Sequence, residues 1–139
     1  MGADRLVVAP HQAHIAEGVE YDTIAREWRC KWEEDGAGKA SLVSAQVALE
    51  SVLDDLKAVH GVKSVERIVC GDCFDFKVIT SLDADKFEAW EETEFDPEVY
   101  FLEMLGDIDG ISSIETQSKY DRPLPTHRLY ALVDASRSF

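Results

Sequence analysis

A chain of 139 residues is long enough to bury a core without metal or disulfide staples, and its 45% hydrophobic, 30% charged make-up is that of an ordinary globular domain. Its 28 acidic residues against 14 basic ones leave a net charge of −14, which opposes direct binding to nucleic acid or an anionic membrane and suits a basic protein partner. Solubility alone is the plainer account of the same charge.

Residues 1–20 read as an arm, in which a short apolar run, Leu6-Val7-Val8-Ala9, is followed by Pro10, His11 and His14. The start has no apolar signal core, and Leu6 stands where a myristoylation motif wants Ser or Thr. No apolar run approaches the roughly 18 residues of a membrane span. With an odd number of cysteines, three, these features predict the cytosol.

The main domain is expected over residues 21–120. Across residues 21–32, Trp28, Cys30 and Trp32 alternate with Arg29 and Lys31, a period of two that predicts a strand. A glycine-bearing polar loop, residues 33–38, ends it. Ser41 is placed to cap a helix by accepting backbone N–H bonds. Leu42, Ala45, Leu49, Val52, Leu53 and Leu56 then follow at helical spacing, and the helix is expected to stop at His60-Gly61.

Residues 62–70 and 74–82 predict a hairpin, joined at Gly71-Asp72 by a two-residue type II′ turn, with Phe74, Phe76, Val78 and Thr80 on one face. Asp83 offers a cap for a second helix bearing Phe87 and Trp90. Asp96-Pro97 restarts that helix, with Asp96 as cap, proline at the first helical position, and Val99, Leu102 and Leu105 as the apolar side. A last strand is expected over residues 111–120. Residues 121–139 form a tail opened by Pro123 and Pro125, within which residues 128–133 suit a short strand or helical turn.

One internal repeat organises these elements. Leu56-Lys57-Ala58-Val59-His60-Gly61-Val62-Lys63-Ser64-Val65-Glu66 matches Leu105-Gly106-Asp107-Ile108-Asp109-Gly110-Ile111-Ser112-Ser113-Ile114-Glu115 in leucine, glycine, serine, glutamate and the aliphatic positions. Each copy ends a helix, turns the chain at glycine and starts a strand. Two such halves give β-α-β-β-α-β, and the predicted fold is α+β and ferredoxin-like: two helices on one face of a four-stranded antiparallel sheet, with extensions at both ends.

Cys70-Gly71-Asp72-Cys73 is a CxxC pair, a pattern that serves redox dithiols and halves of zinc sites. A strand pattern follows it, so no helix dipole favours the thiolate, and Asp72 and Asp75 raise a thiol pKa. Zinc would need further ligands, for which Cys30 and His60 are candidates. His11 and His14 stand three apart and read as exposed side chains rather than a metal pair. No GxSxG elbow, catalytic triad context or phosphate-binding glycine loop is present, and Glu91, Glu92 and Glu94 read as a solvated loop. The residues therefore predict a chain that is not an enzyme and carries no cofactor and no metal. Trp28, Trp32 and Trp90 read as core, and an exposed one would be an interface anchor.

Several strings over residues 24–120 resemble the guanine-nucleotide-exchange domain of translation elongation factor 1B, beta-type subunit. They are Lys31-Trp32-Glu33-Glu34-Asp35 at the end of the first strand, Asp83-Ala84-Asp85-Lys86 after the hairpin, and Ile111-Ser112-Ser113-Ile114-Glu115 with Lys119-Tyr120 in the last strand. The resemblance implies the ferredoxin-like fold and a GTP-binding elongation factor, 1A, as partner. Lys119 would then displace the partner's magnesium to release GDP, with Tyr120 and Asp72 beside the contact. The chain departs from that family in continuing past this lysine, and in having Asp72 and Phe74-Asp75 where the family's hairpin turn carries an aromatic and a basic pair. Two other roles fit the same fold: a non-catalytic interaction or scaffold domain, and an α+β-barrel homodimer enclosing a small ligand between two sheets through Trp28, Phe76 and Tyr120.

Overall fold

A computed structural model describes residues 13–122 and 124. A small hairpin, β1 (Ala13–Ala16) and β2 (Val19–Tyr21), leads into β3 (Thr23–Lys31), α1 (Ala40–Lys57), β4 (Val62–Val69), β5 (Asp75–Asp83), α2 (Ala84–Glu91), α3 (Glu98–Gly106) and β6 (Ser112–Asp121). The main sheet runs β4-β5-β3-β6, and every neighbouring pair is antiparallel. The two central strands are thus the first of each half, and the second strand of each half lies at an edge. The fold is ferredoxin-like.

The alternation in β3 sorts its side chains between two faces. Ile24, Arg26, Trp28 and Cys30 point to the helices, as do Phe76, Val78, Thr80 and Leu82 of β5, to which α1 adds Ala45, Leu49, Val52 and Leu56, and α3 adds Phe101 and Leu105. Trp28 stacks on Phe101 with ring centroids 4.9 Å apart, and Phe87, Trp90 and Phe95 form an aromatic cluster under α2. All three tryptophans are buried.

The internal repeat appears as two junctions built alike. Val59 N–H donates to Leu56 O and Val62 N–H to Val59 O; Ile108 N–H donates to Leu105 O and Ile111 N–H to Ile108 O. Gly61 and Gly110 sit between, at φ 92° and 93°. Each glycine also faces the first turn of the other half's helix, Gly61 against Lys86 and Gly110 against Ser41.

Local details depart from the sequence reading. Residues 13–20, read as part of the N-terminal arm, form the small hairpin together with Tyr21, which belongs to it rather than to β3. Ser41 does not cap α1; it lies inside the first turn and bonds the backbone of Glu33, while the Asp35 carboxylate accepts the N–H groups of Ala37, Lys39 and Ala40. The β4–β5 connection is a longer loop, in which Phe74, not Gly71, takes positive φ, 60°. Phe74 therefore leaves the strand face shared by Phe76 and Val78 and packs edge-on against Trp32. Asp83 and Asp96 make no side-chain cap; Pro97 occupies the N-cap of α3, after a cis Asp96–Pro97 bond. The tail segment 128–133 lies outside the described residues.

Candidate functional site

The helix side of the sheet contains a polar network where β3 passes under the start of α3. Arg26 stands in phase with Trp28 and Cys30, so its guanidinium is carried inward with them. It donates from Nε to Glu98 Oε1 at 2.8 Å and from Nη2 to Glu98 Oε2 at 3.0 Å, a forked pair. Trp28 Nε1 donates to Glu98 Oε1 at 2.7 Å. The remaining Arg26 donors reach Ser118 Oγ at 3.1 Å and Thr116 Oγ1 at 3.0 Å on β6, and its cation lies 3.9 Å from the centre of the Phe95 ring. The half-buried guanidinium thus makes four hydrogen bonds and packs one face against a ring.

Beside this network a cleft of about 240 Å³ opens between α2 and the β3–β6 edge of the sheet. Ile24 and Phe87 give it an apolar floor; Ser118 and Tyr120 stand on its β6 wall and Glu88 and Glu91 on its α2 rim. Tyr120 packs on Tyr21 at 4.5 Å, so the small hairpin supports that wall. Burial, then the neighbouring Tyr120, pushes the Tyr21 hydroxyl above its ordinary pKa. A larger groove of about 770 Å³ runs beside Asp55, His60, Asp85, Lys86 and Trp90. Ala58, Val59 and Ala89 line it as well, and it has no polar network comparable to that of Arg26 and Glu98.

Among the described residues no helix lies over the opposite face of the sheet. Glu27 lies there, 1% exposed, with Lys119 Nζ donating to Oε1 at 2.9 Å and Gln117 Nε2 to Oε2 at 3.0 Å. Burial pushes the Glu27 carboxyl up, but the bonds from Lys119 and Gln117 and the nearby Lys77 outweigh it and hold the pKa below its ordinary value. Around it the register gathers Arg29, Lys31, Lys77 and Lys119, while Lys63 reaches over to Thr23. Glu66, Asp75, Asp83, Glu115 and Asp121 complete the face.

The residues singled out from sequence therefore fall in four places. Lys119 is on the uncovered face, tied to Glu27. Tyr120, its neighbour, points the other way, onto the cleft. Asp72 is exposed in the β4–β5 loop with Cys70 and Cys73, which form a disulfide. Trp28 and Phe76 lie in the core on the helix side, so they cannot enclose a ligand between two open sheet faces as expected. Cys30 is buried, and burial followed by the Asp75 carboxylate pushes its thiol up to about 11; no group of three ligating residues able to hold a metal occurs among the described residues. His11 lies outside them, and His14 is exposed beside Glu20.

No family model and no curated protein matches the chain. Solved structures do. A monooxygenase of Streptomyces coelicolor, held in complex with nanaomycin D, superposes with a TM-score of 0.56 at 13% identity over 77% of this chain and 93% of its own. A dimeric protein of unknown function and ferredoxin-like fold from Bacteroides fragilis gives 0.52 at 13% identity over 71% and 96%, and a protein of Shewanella oneidensis 0.52 at 14% over 73% and 92%. The likeness is one of fold. It overturns the expectation of a non-enzyme, which rested on missing nucleophile and phosphate-loop motifs, because a monooxygenase stands among the proteins sharing this architecture. These structures do not bear on the exchange-domain resemblance. Among the described residues no helix is long and apolar enough to cross a membrane.

Arg26, Glu98 and Glu27 were not singled out from sequence. A signal existed for the first two: an arginine in phase with the apolar stripe of a strand, and a glutamate in phase with Phe101 and Leu105 on a helix, each demand a buried partner.

Proposed function

We propose that two copies of the chain associate through the uncovered faces of their sheets into an α+β barrel, and that each copy binds a small organic molecule in the cleft beside the Arg26–Glu98 network. The charge of the uncovered face carries this reading. Its basic residues, Arg29, Lys31, Lys63, Lys77 and Lys119, number five, against six acidic ones, Glu27, Glu66, Asp75, Asp83, Glu115 and Asp121. The face sums to −1 among the described residues of a chain of −14, so two copies meet there with little net repulsion. The Bacteroides fragilis neighbour is dimeric, which supports the pairing of two copies.

The cleft supports the ligand part, with an apolar floor, two hydroxyls and a rigid ion pair behind them, the composition of a small-molecule site. Oxidation of a bound aromatic compound is the activity to test first, because the Streptomyces coelicolor neighbour is a monooxygenase. Lys119, through which nucleotide exchange would act, is engaged by Glu27.

Sedimentation equilibrium tests the assembly. A dimer is expected, with Ile79→Arg, in the middle of the uncovered face opposite Glu27, reduced to monomer. A wild-type chain that stays monomeric across the micromolar range refutes the pairing. Nanaomycin D serves as the probe for the cleft: it should shift the amide resonances of Ile24, Ser118 and Tyr120, and Ser118→Trp should abolish those shifts. Shifts that survive the tryptophan place binding elsewhere.

A further inference from the structure

We propose that the Cys70–Cys73 disulfide is a thiol–disulfide exchange site whose co-reactant is a dithiol, and that its reduction frees the loop that covers Trp32. This stands apart from the ligand reading, since the pair lies in the β4–β5 loop and lines no part of the cleft.

Three observations carry it. The pair is reachable: Cys73 is exposed and Cys70 half-buried, at the end of a hairpin. The two sulfurs are unlike. Cys73 N–H donates to Cys70 Sγ at 3.0 Å, whereas Asp75 Oδ2 lies 3.3 Å from Cys73 Sγ. The donor is aimed at the sulfur that must carry negative charge when the bond breaks, and the carboxylate accepts the hydrogen of the other thiol once it forms. Finally, the loop is an anchored cover. Lys31 Nζ donates to Cys73 O at 2.8 Å, Trp32 N–H donates to Phe74 O at 2.9 Å, and the Phe74 ring stands edge-on to Trp32 at 5.1 Å.

The asymmetry fixes the direction of the reaction. A thiolate of the dithiol attacks Cys73 Sγ, the exposed sulfur. The Cys70–Cys73 bond breaks, and Cys70 leaves as a thiolate beside the Cys73 amide, then takes a proton from water. The second thiol of the co-reactant, deprotonated, displaces Cys73 from the mixed disulfide. Two electrons have entered the pair, the co-reactant has become a disulfide, and the Cys73 thiol faces Asp75. In the return direction the Cys73 thiolate attacks the co-reactant's disulfide to re-form the mixed disulfide, and Cys70 then attacks Cys73 Sγ, closing the bond and releasing the dithiol. The ring closed by the bond spans four residues, 70–73, and losing so small a closure corresponds to roughly a twentyfold rise in loop opening.

The test uses the full chain equilibrated with mixtures of reduced and oxidised dithiothreitol, quenched with a maleimide and read by mass, with amide hydrogen exchange followed in the same samples. Without reductant neither Cys70 nor Cys73 should take label; with excess reductant both should, while buried Cys30 stays unlabelled. Amides of residues 70–75 should exchange roughly twentyfold faster in the reduced form. Asp75→Asn should raise the labelling rate of Cys73 in the reduced chain several-fold, and Cys70→Ser, which holds the loop open by itself, should show fast exchange with no response to dithiothreitol. Full labelling of both cysteines without reductant, or equal exchange of the loop in the two states, overturns the proposal.

Discussion

Removing the Glu98 carboxylate should be among the most damaging single changes in this chain. Glu98→Ala leaves the Arg26 cation with hydroxyls and a ring face but no counter-charge, and leaves the Trp28 indole N–H without an acceptor in the core. Side-chain exposures of 13% for Arg26 and 11% for Glu98 put the pair close to the buried limit, where losing one partner costs about 3–5 kcal/mol. The small residual access to water argues for the low end, about 3 kcal/mol, of which about 1 belongs to the orphaned indole. For a domain of this size that corresponds to a fall of about 10–15 °C in Tm. Glu98→Gln, which keeps one acceptor for Trp28 but no charge, should fall between. The double change Arg26→Met with Glu98→Leu should recover most of the loss, since an apolar pair of similar volume needs no desolvated charge. Urea denaturation of these three variants and of the single changes Arg26→Met and Glu98→Leu, followed by tryptophan emission and far-ultraviolet dichroism, gives the values needed. A Glu98→Ala cost below about 1 kcal/mol, or a double variant equal to the sum of the singles, would show that the fork contributes no coupling and refute the reasoning.

Gly110→Ala must hold φ 93° with a Cβ 2.8 Å from Glu33 Oε1 and 3.0 Å from Ser41 Cβ, and should cost about 2 kcal/mol in chemical denaturation; Gly61→Ala, at φ 92°, runs into Lys86 Cβ and Cγ, the near end of a side chain fixed to the α2 backbone, and should cost at least as much. Backbone bonds from Ala40, Ala37 and Lys39 hold the Asp35 carboxyl down at about 2 against an ordinary 3.8. Its contribution is therefore complete above 3.8 and lost as pH falls toward about 2, so the stability gap between wild type and Asp35→Ala should be flat at neutral pH and close across that acid window. The Glu27 carboxyl, also held below its ordinary value, should titrate upward in Lys119→Met, where burial acts with one fewer opposing bond, as read by carboxyl-carbon shifts; no movement would mean that Lys119 does not reach it.

The fold was legible because its signals repeat. The apolar stripe of α1, the alternation of β5 and the two helix–glycine–strand junctions all state the same topology, and each can be read without knowing what it packs against. The local chemistry was less legible where a residue's role depends on a partner far along the chain. Ser41 looks like a cap and is a tether for Glu33, because Asp35 in the preceding loop already holds the free amides. Gly71-Asp72 looks like a tight turn, yet the disulfide and the bonds from Lys31 and Trp32 set a wider one. Lys119 and Tyr120 are adjacent in sequence, but the pleat sends them to opposite faces of the sheet, one to Glu27 and the other to the cleft.

The site arises where the two halves cease to match. The first half crosses the sheet with one continuous helix of 18 residues; the second uses two helices of 8 and 9 residues with a break between them. Within that break Glu94 and Phe95 take φ of 59° and 58°. The interruption brings the Phe95 ring under the Arg26 cation and starts α3 at Glu98, directly over the fork. It also ends α2 at Glu91, on the rim of the cleft. A continuous second helix would carry an apolar stripe through these positions, as α1 does, and would leave Arg26 with no counter-charge. The repeat thus encodes the scaffold, and the acidic, proline-bearing stretch that spoils the second copy encodes the polar network and the opening beside it.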